Sequence, residues 1–176
     1  MQRRGLIKGA GLVALAAATG TLWWWQSGQS PARVDRAGLR QVLARLKQGR
    51  WDSAQGWSPA QVYNHCAQSI EYSMGGYPQL KPEWFRASVG PAAFAVFQQR
   101  GAMQHALDEP IPGAASLDAP AGEAAALERL ESAFDRFFAH QGPLAPHFAY
   151  GALDHGQYAT AHILHLYNHL QRLRPA

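Results

Sequence analysis

Cysteine is almost missing from this chain: Cys66 stands alone among 176 residues. A single thiol excludes an internal disulfide and leaves the redox compartment unmarked. Strand patterns are scarce, and there is neither an internal repeat nor a long low-complexity tract beyond the N-terminus. A strong excess of one charge is absent as well. The formal net charge is +4, but Arg3, Arg4 and Lys8 belong to an N-terminal segment, and without them +1 remains. That balance excludes the basic footprint of a nucleic-acid binder. What is present is enough chain for one helical domain with an appendage.

The appendage is residues 1–25. Arg3-Arg4 is followed by Leu6, Ile7 and Lys8, and then by an uncharged run from Gly9 to Trp25 rich in Ala, Leu and Gly. Paired arginines ahead of such a run resemble the twin-arginine export signal of bacteria. The run is long for the core of a cleaved signal and short for a spanning helix. Ala16-Ala17-Ala18 suits a peptidase, whereas Trp23-Trp24-Trp25 suits an interfacial anchor, and the reading leans towards a retained anchor. The expected location is the bacterial periplasm, exported or anchored in the inner membrane, with membrane contact through residues 1–25 if they are not cleaved. Residues 26–31 read as a linker and 32–176 as the folded domain.

The domain reads as all-α. Leu39, Val42, Leu43 and Leu46 form one apolar stripe on a helix over 34–48. Ser58, Pro59 and Gln61 spell a capping box with proline at the first helical position, opening a helix that runs to Met74. Gly75-Gly76-Tyr77-Pro78 ends it. A further helix is expected over 83–99, with Phe94 and Phe97 inward. Residues 109–120, with three prolines, read as an ordered surface loop. A helix over 122–140 directs Leu127, Leu130, Phe134, Phe137 and Phe138 inward. The last helix opens at Asp154 with Gln157 three residues on, and extends to Arg172 ahead of Pro175.

Histidines concentrate on two of these helices. His162, His165 and His169 share one face of the last helix, with Tyr158 below them. His165 and His169 are one turn apart, the spacing at which two imidazoles hold one ion; His162 and His165 also pair. His162 and His169 are about 10.5 Å apart along the axis, so one ion does not take all three. A third ligand has to come from another helix, and His65 sits mid-helix with Ser69 and Tyr72 on its side. Three neutral imidazoles suit zinc, nickel or ferrous iron. Tyr72 and Tyr158 are the expected pocket residues, Cys66 a small buried hydrophobe, Glu71 a solvated charge and Asp154 a cap. His140, His147 and His155 read as surface or turn residues.

The stretch Trp57-Ser58-Pro59-Ala60-Gln61-Val62-Tyr63-Asn64-His65-Cys66-Ala67-Gln68-Ser69-Ile70 resembles the second helix of DinB-like proteins. His147-Phe148-Ala149-Tyr150-Gly151 and His165-Leu166-Tyr167-Asn168-His169 resemble the closing turn and last helix of a family of unknown function in that superfamily. The resemblance spans roughly 51–173. Phe148 stands where that family often has proline, and Asn168 where a further histidine is common. The likeness implies an up-down four-helix bundle with an ion held by His65, His165 and His169, leaving His162 beside the ligands. Some members of that superfamily use the metal in thiol-group transfer, which makes a metal-dependent hydrolase or thiol-group transferase acting on a small molecule the expected function; the alternative is a non-catalytic envelope metal-binding or interaction protein.

Overall fold

The computed structural model describes residues 33–119 and 121–176; the segments read as signal or anchor (1–25) and linker (26–31) lie outside the described residues. In chain order the elements are α1 Arg36–Gln48, β1 Trp51–Ser53, α2 Pro59–Gly75, α3 Glu83–Ala87, α4 Val89–Arg100, α5 Gly122–Ala139, α6 His155–Leu170 and β2 Leu173–Pro175. The protein is mainly helical. Among the described residues, no helix is long and apolar enough to cross a membrane.

Both helices that carry candidate ligands are fixed at their N-terminal ends by the capping boxes read in the sequence. At α2, the Ser58 hydroxyl accepts the Gln61 N–H at 3.3 Å, and the Gln61 side chain accepts the Ser58 N–H at 3.0 Å. At α6, Asp154 accepts the Gln157 N–H at 2.7 Å while Gln157 accepts the Asp154 N–H at 2.9 Å. Each box satisfies two otherwise orphaned groups and sets where the helix starts, and therefore which face its histidines occupy. Helix α1 starts behind Asp35, whose carboxylate accepts the Gly38 N–H.

One apolar core joins α1, α2, α5 and α6. Leu39, Leu43 and Leu46 of α1 are buried with Val62, Tyr63, Cys66, Ala67 and Ile70 of α2 and with Leu127, Leu130, Phe134 and Phe137 of α5. On the rim, Glu71 pairs with Arg129 at 2.6 Å and Arg136 at 2.9 Å, and Arg129 also donates to Asn64 at 3.1 Å. Glu71 is therefore a strap between α2 and α5, not the solvated charge expected of it.

Three other expectations need correction. The single helix over 83–99 is two helices that break at Ser88. Pro91 has no N–H to give and crowds the carbonyl one turn back, so it is tolerated only in a first turn, and α4 starts just ahead of it. Gly90 lies so close to the Ala149 carbonyl that a Cβ would sit 1.9 Å from that oxygen, which packs α4 tightly onto the turn before α6. Next, the last helix stops at Leu170, and Leu173–Pro175 pairs antiparallel with Trp51–Ser53, Trp51 opposite Pro175. Finally, the α4–α5 connection is partly buried: Met103, Ile111 and Leu117 are in the interior, and Gln68 of α2 donates to the Ala115 carbonyl at 3.0 Å.

Candidate metal centre

The polar face of α2 and that of α6 meet at three imidazoles. Nε2 of His165 lies 3.1 Å from Nε2 of His65 and 3.1 Å from Nε2 of His169. The ligand atoms of the three residues all fall within 4.8 Å of one another. Two of the rings come from one turn of α6 and the third from the middle of α2, as the helical spacing requires. Trp57, just ahead of the α2 cap, stacks on His169 at 5.8 Å and tilts against His65 at 4.8 Å, walling one side of the cluster.

Neutral imidazoles do not satisfy this arrangement by themselves. His165 Nε2 has one in-plane lone pair or one hydrogen, and it faces two other Nε2 atoms at equal distance. A divalent ion could take a lone pair from each of the three, and the two 3.1 Å separations at His165 are close to the roughly 3.4 Å between nitrogens about 2.0–2.1 Å from a tetrahedral ion. Burial works in the same direction by disfavouring the charged ring. It lowers His65 to about 3 and His169 to about 2, and it holds His165 well below its usual value, with the neighbouring imidazoles adding to the depression. All three are unprotonated at Nε2 or free to become so at neutral pH, the form a metal requires. With the ion on Nε2, the hydrogens fall on Nδ1. Nδ1 of His65 and of His169 is buried without a partner, so these two ligands lack the hydrogen-bonded outer support that ligating histidines ordinarily have.

A cavity of about 270 Å³ opens beside the cluster. Its polar lining includes His65, His165, His162, His147 and His105, and its apolar lining includes Phe97, Met103, Phe148 and Tyr150. His162 is buried next to the ligands, as expected, and its Nε2 donates to the Ser73 hydroxyl at 3.1 Å, because that hydroxyl gives its own hydrogen to the Ile70 carbonyl at 2.6 Å. Burial lowers His162 to about 3.

The two tyrosines do not act as pocket residues. Tyr158 is fully buried, donates to the Ala145 carbonyl at 2.7 Å and stacks on His162, while Tyr72 is half-buried against Tyr77; neither lines the cavity. Cys66 is buried as expected, and desolvation pushes its thiol far up, which removes it as a nucleophile. His147 is not a surface residue: it is 6% exposed and stacks on Tyr150. His155 is exposed but hydrogen-bonds the Phe137 carbonyl at 3.0 Å.

Sequence reasoning missed His105 altogether. It sits in the α4–α5 connection, with its ring 5.0 Å from those of both His165 and His169. Loop residues have no periodicity to mark a face, and the one available signal was a histidine in a long proline-bearing connection of the kind that often carries function.

A family model described as "Protein of unknown function (DUF1569)" matches residues 35–176, a span that contains every helix and strand described above. No curated protein and no solved structure matches the chain.

Proposed function

We propose that the chain, which belongs to the DUF1569 family, holds one divalent ion through His65, His165 and His169 and is a metal-dependent hydrolase or thiol-group transferase of the DinB-like type. In this reading the helices form a four-helix bundle, the ion is zinc, nickel or iron, and the substrate is a small molecule in the adjoining cavity. The observation that carries it is the convergence of three neutral Nε2 atoms from two helices beside a cavity that reaches two of those rings. When bound, the ion supplies Lewis acidity or lowers the pKa of a ligand on its open side. The protein's own part is orientation: Trp57 holds two of the rings by contact, and His162, tied to Ser73, lines the cavity one turn below His165. Location follows the N-terminal reading, in the periplasm or tethered to the inner membrane.

A second reading, a non-catalytic envelope protein that stores metal or recognises a partner, draws support from the exposed apolar side chains Leu80, Trp84, Val89 and Val96 around α3 and α4. The test of the first step is elemental analysis of the full chain purified without chelating resin, beside His65→Ala and His165→Ala. Near-stoichiometric metal in the parent and none in either variant is the expected outcome. A parent that takes up no zinc, nickel or iron overturns the reading.

A further inference from the structure

Outside the ligand trio, three histidines line the cavity: His105, His147 and His162. Two of them are engaged elsewhere. His162 is tied to Ser73, and the ring contacts of His147 are with Tyr77, Phe148, Tyr150 and Tyr158. His105 packs on the ligands themselves. The ring centroids of His65, His165 and His169 are 4.9, 4.7 and 4.8 Å apart, and that of His105 stands 5.0 Å from both His165 and His169. It joins the cluster at almost the spacing the three keep among themselves.

The two nitrogens of His105 meet different surroundings. Nδ1 lies 2.6 Å from the Ala106 carbonyl oxygen, the backbone support that a ligating histidine ordinarily has and that His65 and His169 lack. Nε2 is buried and has no hydrogen-bond partner. Such an atom costs free energy, and an ion among the neighbouring rings removes that cost whether the ring is neutral or gives up a proton on binding. Because Nε2 is closed off from solvent, it suits a group inside the cluster and not a molecule in the cavity. His105 is outside the set of ligand atoms that lie within 4.8 Å of one another, so ligation requires its ring to move inward. The connection between α4 and α5 carries it, with no helix to fix its position.

We propose that His105 is a fourth protein ligand, which closes on the ion held by His65, His165 and His169 from the side of the α4–α5 connection. This rests on the metal reading above and adds a control to it: the ion has an open side for a small molecule only when the connection draws His105 back. The rival donor in the cavity lining is Glu109. Its side chain is exposed, and a carboxylate in water gives up more hydration on binding an ion than a nitrogen that is already buried.

The test uses the full chain loaded with cobalt(II) in place of zinc, with His105→Ala, His105→Asn and Glu109→Gln beside the parent. Asparagine keeps a donor for the Ala106 carbonyl and deletes Nε2, so it separates ligation from support of the connection. Metal content, and thermal stability in chelator, are measured first. In proton NMR each imidazole on cobalt contributes one exchangeable N–H resonance moved outside the ordinary range. Four such resonances are expected in the parent and in Glu109→Gln, and three in both His105 variants. Competition with a chelator is expected to show zinc held about tenfold to a hundredfold more weakly by both His105 variants. A parent without metal overturns the metal reading and this inference with it. Metal retained with three resonances in the parent, or with parent-like zinc affinity in His105→Asn, overturns the fourth ligand alone.

Discussion

On the side of α2 that packs on α5, Tyr63, Cys66, Ala67 and Ile70 recur at helical spacing and are buried with Leu130, Ala133, Phe134 and Phe137. On the side that meets α6, His65 and Ser73 face His165 and His162 across hydrogen-bond distances. One helix thus carries an apolar seam and a polar seam, the second of them bordering the cavity. The apolar seam stabilises the fold through area removed from water and close packing. The polar seam contributes little to stability, because burying imidazoles costs free energy and the unpartnered Nδ1 atoms of His65 and His169 add to that cost. The two seams therefore divide the labour between folding and chemistry, and substitutions in each should fail in different ways.

The largest contrast is between Phe134→Ala and His165→Ala. Removing the buried Phe134 ring should cost about 3–5 kcal/mol in chemical denaturation without changing the metal content of the folded fraction. His165→Ala should abolish metal uptake yet leave the chelator-treated protein within about 1 kcal/mol of the parent. If both variants lose stability equally in chelator, the polar seam is structural and the division is wrong.

Acid separates the seams next. His65 and His162 sit at about 3 in the folded protein, below the usual histidine value of about 6.5 in an unfolded chain. Below pH ~6.5 the unfolded chain binds protons that the folded one refuses. Their contribution is complete above that pH and is lost progressively as pH falls from about 6.5 towards 3, by up to about 1.4 kcal/mol per pH unit for each histidine. Melting temperatures of the metal-free protein between pH 7.5 and 5 check this, and His162→Phe should flatten the slope. The smallest effect belongs to the rim: Glu71→Gln should cost about 0.5–1 kcal/mol, since the pairs with Arg129 and Arg136 are partly exposed, and added salt should shrink that difference in denaturation.

How much of this was legible in the sequence follows the same physics. The caps were readable because their bonds are local: Ser58 with Gln61 and Asp154 with Gln157 sit three residues apart and need no tertiary partner. The stripe on α1 and the inward face of α5 were readable from their period. His65, His165 and His169 were placed by a spacing plus a likeness, and their rings do converge. Pro91 was in plain view and its break in the helix was overlooked. The strand pair was not readable, because three residues at each end of the domain have no alternation to detect. His147 was misjudged since a loop position suggests exposure, whereas its ring is drawn inward by two backbone N–H groups that only the folded turn brings together.

The pairing of Trp51–Ser53 with Leu173–Pro175 ties the chain into a loop of more than a hundred residues. Such long-range closure carries a loop-entropy cost that the local helices do not. Ala176 donates its N–H to the Arg50 carbonyl, which makes Ala176 part of the clasp. A purification tag fused there, or a few residues clipped by a protease, would act on the strand that follows directly from the end of α6, whose last turn carries His169. Changes at Ala176 therefore bear on any preparation in which metal occupancy is to be measured.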